Sequence, residues 1–215
     1  MRWTVVIPVK ALPAAKSRLA AMTADAQAHR ALVEAIRQDT VAAAIGDGVA
    51  RVLLVSDSES VETRSDTPVL VQSSPGLNAA LREAATHAAQ RWPADGVAAL
   101  VGDLPALRRE ELAAALALAS ELPTAFVADA DGTGTTLLTA VPGHELQPAF
   151  GTGSAARHGR SATSLPAGPG LRRDVDTAED LRAAAAELGV GPATANILLG
   201  LGVTVRTPCV GMMEP

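Results

Sequence analysis

Cysteine is nearly absent from this 215-residue chain, and its single copy, Cys209, excludes both an internal disulfide framework and a multi-cysteine zinc site. Lysine is almost as scarce. Of the 18 basic residues only two are lysines, Lys10 and Lys16, and both fall in the loop after the first apolar run. Positive charge as a whole is in deficit, and a formal net charge of -5 argues against a protein whose main work is gripping nucleic acid, which needs a basic face. Long apolar runs are also missing: Pro, Gly or a charge interrupts each one well before it could span a bilayer, and Met1 leads directly into a strand-like run. A cytoplasmic protein without membrane or nucleic-acid partners is therefore expected. With 48% hydrophobic residues the chain can bury a full core, and the length suits one domain over 1–199 with a C-terminal tail, 200–215, expected to be partly disordered.

Short apolar runs bounded by turn signals alternate with helical stretches, the pattern of an α/β domain built on a mostly parallel sheet. Strands are predicted at Trp3 to Val9, Ala50 to Val55, Pro68 to Val71 and Gly96 to Val101. Helices are predicted at Asp25 to Ala44, around Leu77, Leu81, Ala84, Ala88 and Trp92, and at Arg108 to Leu122. Beyond these the order changes. Ala125 to Ala128 and Thr136 to Val141 read as two strands joined by a Gly-rich turn, which implies an antiparallel addition. Ser161 to Gly170 reads as a loop, Thr177 to Leu188 and Pro192 to Leu199 as helices, and Val203 to Val205 as strand-like.

Ligands of parallel α/β sheets bind beyond the carboxyl ends of the strands, so residues there weigh most. After the first strand, Pro8-Val9-Lys10-Ala11-Leu12-Pro13-Ala14-Ala15-Lys16-Ser17-Arg18-Leu19 gathers three cations and a hydroxyl without a glycine. Walker A and dinucleotide loops need glycine for close backbone approach, so here side-chain charge must hold any phosphate. Lys10, Lys16 and Arg18 thus suit a triphosphate, although a solvated basic loop would look the same. The central strand runs into Gly102-Asp103-Leu104-Pro105, which puts a carboxylate just past the sheet edge, as a metal ligand or as a turn cap.

In Arg172-Arg173-Asp174-Val175-Asp176-Thr177, an extended backbone would put Asp174 and Asp176 on one face and Val175 in the core. Thr177 with Asp180 resembles a capping box, and Asp176 could merely assist it. Asp103, Asp174 and Asp176 together would form an all-oxygen site for Mg²⁺ or Mn²⁺, and a metal beside a cationic loop points to nucleotidyl transfer. A phosphate nucleophile needs no general base, in keeping with His29, His87, His144 and His158, which all read as surface or helix-surface residues. Asp131-Gly132-Thr133-Gly134-Thr135-Thr136 and Phe150-Gly151-Thr152-Gly153-Ser154-Ala155-Ala156-Arg157 offer hydroxyls, backbone N–H groups and a helix start. They form either a pocket for an acidic second substrate or ordinary Gly-rich turns.

PVKALPAAKSRL, GLNAAL, GDLPAL, FVAD with DGTGT, FGTGSAARH, RRDVDT and LGVGPAT, in this order over roughly residues 4 to 195, resemble the 2-phospho-L-lactate or phosphoenolpyruvate guanylyltransferases of coenzyme F-420 biosynthesis. The resemblance implies a single-domain, Rossmann-like nucleotidyltransferase of the glycosyltransferase-A type, with a mixed, mostly parallel sheet flanked by helices. It implies GTP and a small phosphorylated three-carbon acid as substrates, and Mg²⁺ or Mn²⁺ as cofactor; a homodimer is compatible with it. Carried over by motif, Asp103, Asp174 and Asp176 match metal ligands. Lys10, Lys16 and Arg18 lie in the nucleotide-phosphate loop, with Asp103, Lys16 and Arg18 in catalytic roles. Asn78 falls beside the nucleotide pocket, and Thr135, Gly151 and Ser154 match contacts to the acid. Some relatives have Pro-Asp where Thr152-Gly153 stands, so the acid pocket differs there. Transfer to another phosphorylated acceptor, such as 3-phosphoglycerate or a sugar phosphate, and a non-catalytic nucleotide-binding module are the competing readings.

Overall fold

The structure is a computed structural model, and it describes residues 1–9, 17–58 and 67–206. Lys10, Lys16 and Cys209 lie outside the described residues. Among the described residues seven strands form one sheet: β1 (Trp3–Val9), β2 (Val49–Ser56), β3 (Val69–Val71), β4 (Gly96–Leu100), β5 (Thr124–Ala128), β6 (Thr135–Ala140) and β7 (Thr163–Ser164). Their order across the sheet is β3-β2-β1-β4-β6-β5-β7. All neighbouring pairs are parallel except those of β6, which runs antiparallel to both β4 and β5. This is the expected mixed, mostly parallel sheet. Because β6 is reversed, its first residue, Thr135, comes to the same edge as the last residues of β4 and β5.

The sheet is covered on both faces. Along β1 the side chains alternate, with Trp3, Val5, Ile7 and Val9 in one apolar cluster and Val6 in another, so a strand at the centre reads as a continuous apolar run. The first cluster packs under α1 (Ala26–Ala43), α3 (Arg109–Ala119) and α5 (Pro169–Arg172); the second packs under α2 (Leu77–Arg91) and α4 (Ser154–His158). Asp25 opens α1 by accepting from the N–H groups of Gln27 and Ala28, both at 2.8 Å. Among the described residues no helix is long and apolar enough to cross a membrane.

A third cluster positions the site. Leu19, from a 3-10 turn at Ser17–Met22, joins Leu32, Ile36, Ala106, Val175 and Leu181 there. The last of these belongs to α6 (Ala178–Glu187), and α7 (Pro192–Gly200) adds Leu198. Asp39, buried on α1, accepts from the N–H groups of Ala193 and Thr194 at 3.1 and 2.7 Å and so caps α7 from across the domain.

Two expectations fail. The stretch 161–170 is not only loop: Thr163 and Ser164 pair with Ala125 and Phe126 as β7, and α5 starts at Pro169. Both β7 residues are exposed, so the strand carries no apolar alternation by which a sequence would show it. Val203 to Val205 forms no strand. Val203 instead donates to Leu198 O at 2.9 Å after a turn at Gly202, where φ is 73°, and the two valines pack on the third cluster without a ladder.

Gly170 shows how closely α5 is pressed onto the loop after β4. A Cβ at this position would stand 2.3 Å from the Ala106 carbonyl oxygen and 2.4 Å from Glu111 Oε2. The backbone oxygen cannot swing aside, so Gly170→Ala must displace α5. Urea unfolding of Gly170→Ala should show a loss of about 1–3 kcal/mol, the usual range for overpacking a close contact.

Candidate active site

At the carboxyl edge of β4 the chain passes through Gly102 to Asp103, whose loop is fixed by the Leu104 N–H donating to Thr40 Oγ1 at 3.0 Å. The Val175 N–H donates to Asp103 O at 3.1 Å and draws the second acidic segment against the first. Val175 is fully buried, Asp174 is half-buried and Asp176 is exposed, which is the alternation expected of an extended segment. The capping box is present as well. Thr177 Oγ1 accepts from Asp180 N at 3.2 Å, and Asp180 Oδ2 accepts from the N–H groups of Thr177 and Asp176 at 2.8 and 3.1 Å.

This crowding has an electrostatic consequence. Burial, followed by repulsion from Asp103, Asp176 and Asp129, pushes the Asp174 carboxyl up from 3.8 to about 7, a backbone hydrogen bond offsetting part of the rise. Asp129, at the end of β5, was not among the expected site residues. It organises the Gly-rich turn, its two oxygens accepting from Thr133 N at 2.9 Å and Gly134 N at 2.7 Å. Above it the Arg172 guanidinium donates to the Ala128 and Asp129 carbonyls at 2.8–3.2 Å, tying the acidic segment to the end of β5. Asp95, at the opposite edge, is a carboxylate of structural use, since it pairs with Arg51.

The donor set is wholly carboxylate, suited to a hard divalent cation and unsuited to zinc. Among the described residues no three such side chains stand close enough to ligate one ion by themselves. Mg²⁺ tolerates this, since it keeps several waters and commonly takes one or two carboxylates plus substrate phosphates. The expected cationic loop reaches the same place in part. Arg18 is exposed beside fully buried Leu19, whose cluster also holds Ala106 and Val175, so the described end of the loop is anchored beneath both acidic segments.

The other expected residues gather at the start of β6. Thr135 and Ser154 are both buried, and Ser154 Oγ donates to Thr135 Oγ1 at 3.1 Å. Gly151 and Gly153, with φ of 116° and 71°, turn the chain above them, and Arg157 braces that turn by donating to Ala149 O and Thr152 O. Asn78 is committed to the same segment. Its Nδ2 donates to Phe150 O at 3.1 Å while its Oδ1 accepts from Phe150 N at 2.8 Å.

Two corrections apply here. The helix start expected to favour an anion belongs to α4, only five residues long, and the N–H groups of Ser154 and Ala155 are taken by Gly151 O and Thr133 O. Any anion must therefore rely on hydroxyls and on the remaining turn N–H groups. His158, expected on a helix surface, is 2% exposed and lies in this hydrogen-bonded group. His87 and His144 are exposed and His29 is half-buried. Nothing in the sequence marks His158 beyond its place four residues after Ser154, one helical turn along the same face.

Raising a carboxyl's folded pKa means the folded state resists its ionisation, so stability is lost as pH climbs from about 4 to about 7 and stays lost above that. Asp174→Asn removes that opposition. In metal-free buffer the variant should melt above the unsubstituted protein at about pH 8, with the gap shrinking towards about pH 5. A gap independent of pH in a calorimetric scan would contradict the electrostatic account.

A family model described as "Guanylyl transferase CofC like" matches residues 3–208. A phosphoenolpyruvate guanylyltransferase of Streptomyces scabiei is 48% identical over 207 residues, covering 91% of this chain and 95% of that protein. One from Geodermatophilus obscurus is 50% identical over 209 residues, covering 92% and 94%. Among solved structures, one from Desulfovibrio desulfuricans G20 described as a nucleotide-diphospho-sugar transferase has a TM-score of 0.71 at 16% identity, covering 96% of this chain and all of that one. A manganese complex of Rv0371c from Mycobacterium tuberculosis H37Rv has a TM-score of 0.52 at 18% identity, covering 86% and 97%. At such identities the likeness is one of fold alone. Sequence likeness over nine-tenths of its length and a family model spanning the whole sheet identify the chain as a member of the CofC-like guanylyl transferase family.

Proposed function

We propose that this protein transfers the GMP of GTP to phosphoenolpyruvate, in the cytoplasm where both solutes are found, and releases pyrophosphate. An oxygen of the acid's phosphate attacks the α-phosphorus of GTP, and the bond from that phosphorus to the bridging oxygen breaks. Pyrophosphate leaves with the electron pair, and a new phosphoanhydride joins GMP to the acid. No proton need be abstracted, because a phosphate monoester is already largely ionised at neutral pH.

The observation that supports this reading most is the convergence of the two acidic segments, where the Val175 N–H donates to Asp103 O at 3.1 Å and half-buried Asp174 feels the Asp103 carboxylate, an arrangement that a bound cation would stabilise. Mg²⁺ or Mn²⁺ would be held among Asp103, Asp174 and Asp176, one or two of them as direct ligands beside water and substrate phosphates, and when bound it supplies positive charge for the triphosphate and the leaving pyrophosphate. Lys10, Lys16 and Arg18 grip the triphosphate by charge alone. Thr135, Gly151 and Ser154 receive the acid, with the two hydroxyls buried together under the turn. Asn78 serves the nucleotide side from the first turn of α2 and at the same time holds the acid-binding segment by its Phe150 backbone, so that the two substrates meet across it.

The direct test is pyrophosphate release from the pure protein with each nucleoside triphosphate paired with phosphoenolpyruvate, 2-phospho-L-lactate and 3-phosphoglycerate. Release should require GTP and phosphoenolpyruvate, vanish in EDTA and return with Mg²⁺ or Mn²⁺; full activity in EDTA would defeat the metal assignment. Asp103→Asn should lower kcat by about a hundredfold or more with the fold retained, the scale seen when charge stabilisation of a transition state is lost. Ser154→Ala should raise KM for the acid severalfold to about tenfold and leave KM for GTP within about twofold, because it removes a neutral hydrogen bond, worth about 0.5–1.5 kcal/mol, by which the Ser154 hydroxyl orients Thr135 Oγ1. The opposite split between substrates would move Ser154 to the nucleotide site.

A further inference from the structure

His158 is buried under the acid-binding turn and each ring nitrogen has a partner. The Ala149 N–H donates to Nε2 at 2.9 Å, and Nδ1 stands 2.9 Å from Thr135 Oγ1. A backbone N–H can only donate, so Nε2 must be bare and the neutral ring must carry its proton on Nδ1. Nδ1–H then donates to Thr135 Oγ1, and Ser154 Oγ–H donates to the same oxygen at 3.1 Å. Both acceptor positions of the Thr135 hydroxyl are thereby filled.

We infer that His158 is a positioning residue that, with Ser154, saturates Thr135 Oγ1 with donors, so that the Thr135 hydroxyl can only turn its own proton towards an acceptor. An anionic acid is such an acceptor, and a ligand group that must donate is refused. The inference rests on the acid-site reading of Thr135. The surroundings keep the ring in the required form. Phe126 of β5 and Phe150 lie 6.1 and 5.1 Å from it, centroid to centroid, and the Arg157 guanidinium beside it is cationic. Burial first and Arg157 second hold its pKa down to about 4, so the neutral ring persists through the physiological range. Protonation would put a second N–H against that of Ala149.

The conservative variants separate the two ring contacts. In His158→Asn the amide nitrogen can stand where Nδ1 does, which keeps the donor to Thr135 and loses the acceptor for Ala149. In His158→Gln the amide oxygen can stand where Nε2 does, with the reverse effect. His158→Gln should raise KM for phosphoenolpyruvate about tenfold with KM for GTP within about twofold, and His158→Asn should recover most of the loss. Equal impairment of both, or a better Gln variant, would overturn the inference in favour of simple packing or of a loop anchor. Nitrogen-15 NMR of the unsubstituted protein gives a readout independent of activity and of variant folding. A pyrrole-type Nδ1 and a pyridine-type Nε2, unchanged from about pH 7 to about pH 5, are expected. An Nε2-protonated ring, or titration near the ordinary histidine value, would overturn it. Thr135→Val tells the two failures apart. Unchanged acid KM in that variant with the Nδ1–H tautomer intact would sink the acid-site reading and this inference with it, whereas a raised acid KM with the Nε2–H tautomer would sink the inference alone.

Discussion

Burial of three apolar side chains in one cluster is the constraint on which the active edge depends. Leu19 follows the basic loop, Ala106 follows Asp103, and Val175 separates Asp174 from Asp176; all three are 4% exposed or less and share the third core cluster. Each buried aliphatic side chain of the Leu or Val kind contributes about 1.5–3 kcal/mol, enough to hold charged neighbours where they repel. The backbone bond from Val175 to Asp103 O then sets the register, and the close seat of Gly170 on Ala106 O sets the approach. Apolar packing therefore offsets the repulsion among the carboxylates.

The side proposed for the acid follows another logic. Its hydroxyls, imidazole and amide form a connected set in which nearly every member is buried: Asn78 to Phe150, Ala149 to His158, His158 to Thr135, Ser154 to Thr135. A buried polar set of this kind is stable only when satisfied, and satisfaction fixes a direction for each proton. The two halves of the site meet along β4 and β6, where Val101 N donates to Thr136 O. A reversed strand beside a parallel one lets the beginning of one element and the end of the other face the same solvent.

Much of this was legible in order along the chain. The continuous apolar run of β1, the helix starting near Asp25, the alternation through Asp174-Val175-Asp176 and the Thr177–Asp180 box are short-range patterns, and each reads out a local backbone preference that the fold did not override. β7 escaped because an exposed edge strand has no buried face to mark it, and Val203 to Val205 misled because β-branched residues pack as readily on a cluster as in a ladder. His158 escaped for a further reason. Its partners, Ala149 and Thr135, lie 9 and 23 positions away, and no local pattern reports a contact made by a turn folding back on a strand.

By itself the sequence determined the α/β class, the carboxyl-edge position of the loaded segments and the chemical character of each: cations without glycine, carboxylates past a strand, hydroxyls in Gly-rich turns. These are properties of composition and of periods of two and 3.6 residues, which act over a few bonds. Only the tertiary structure decided which of them meet. It joined Asp129 and the end of β5 to the acidic segment through Arg172, gave Asn78, expected only beside a nucleotide pocket, a clamp on the Phe150 backbone, and buried His158 behind Thr135. Those encounters depend on strand order and on which face of the sheet each helix covers, and strand order is set by the packing of all the elements at once.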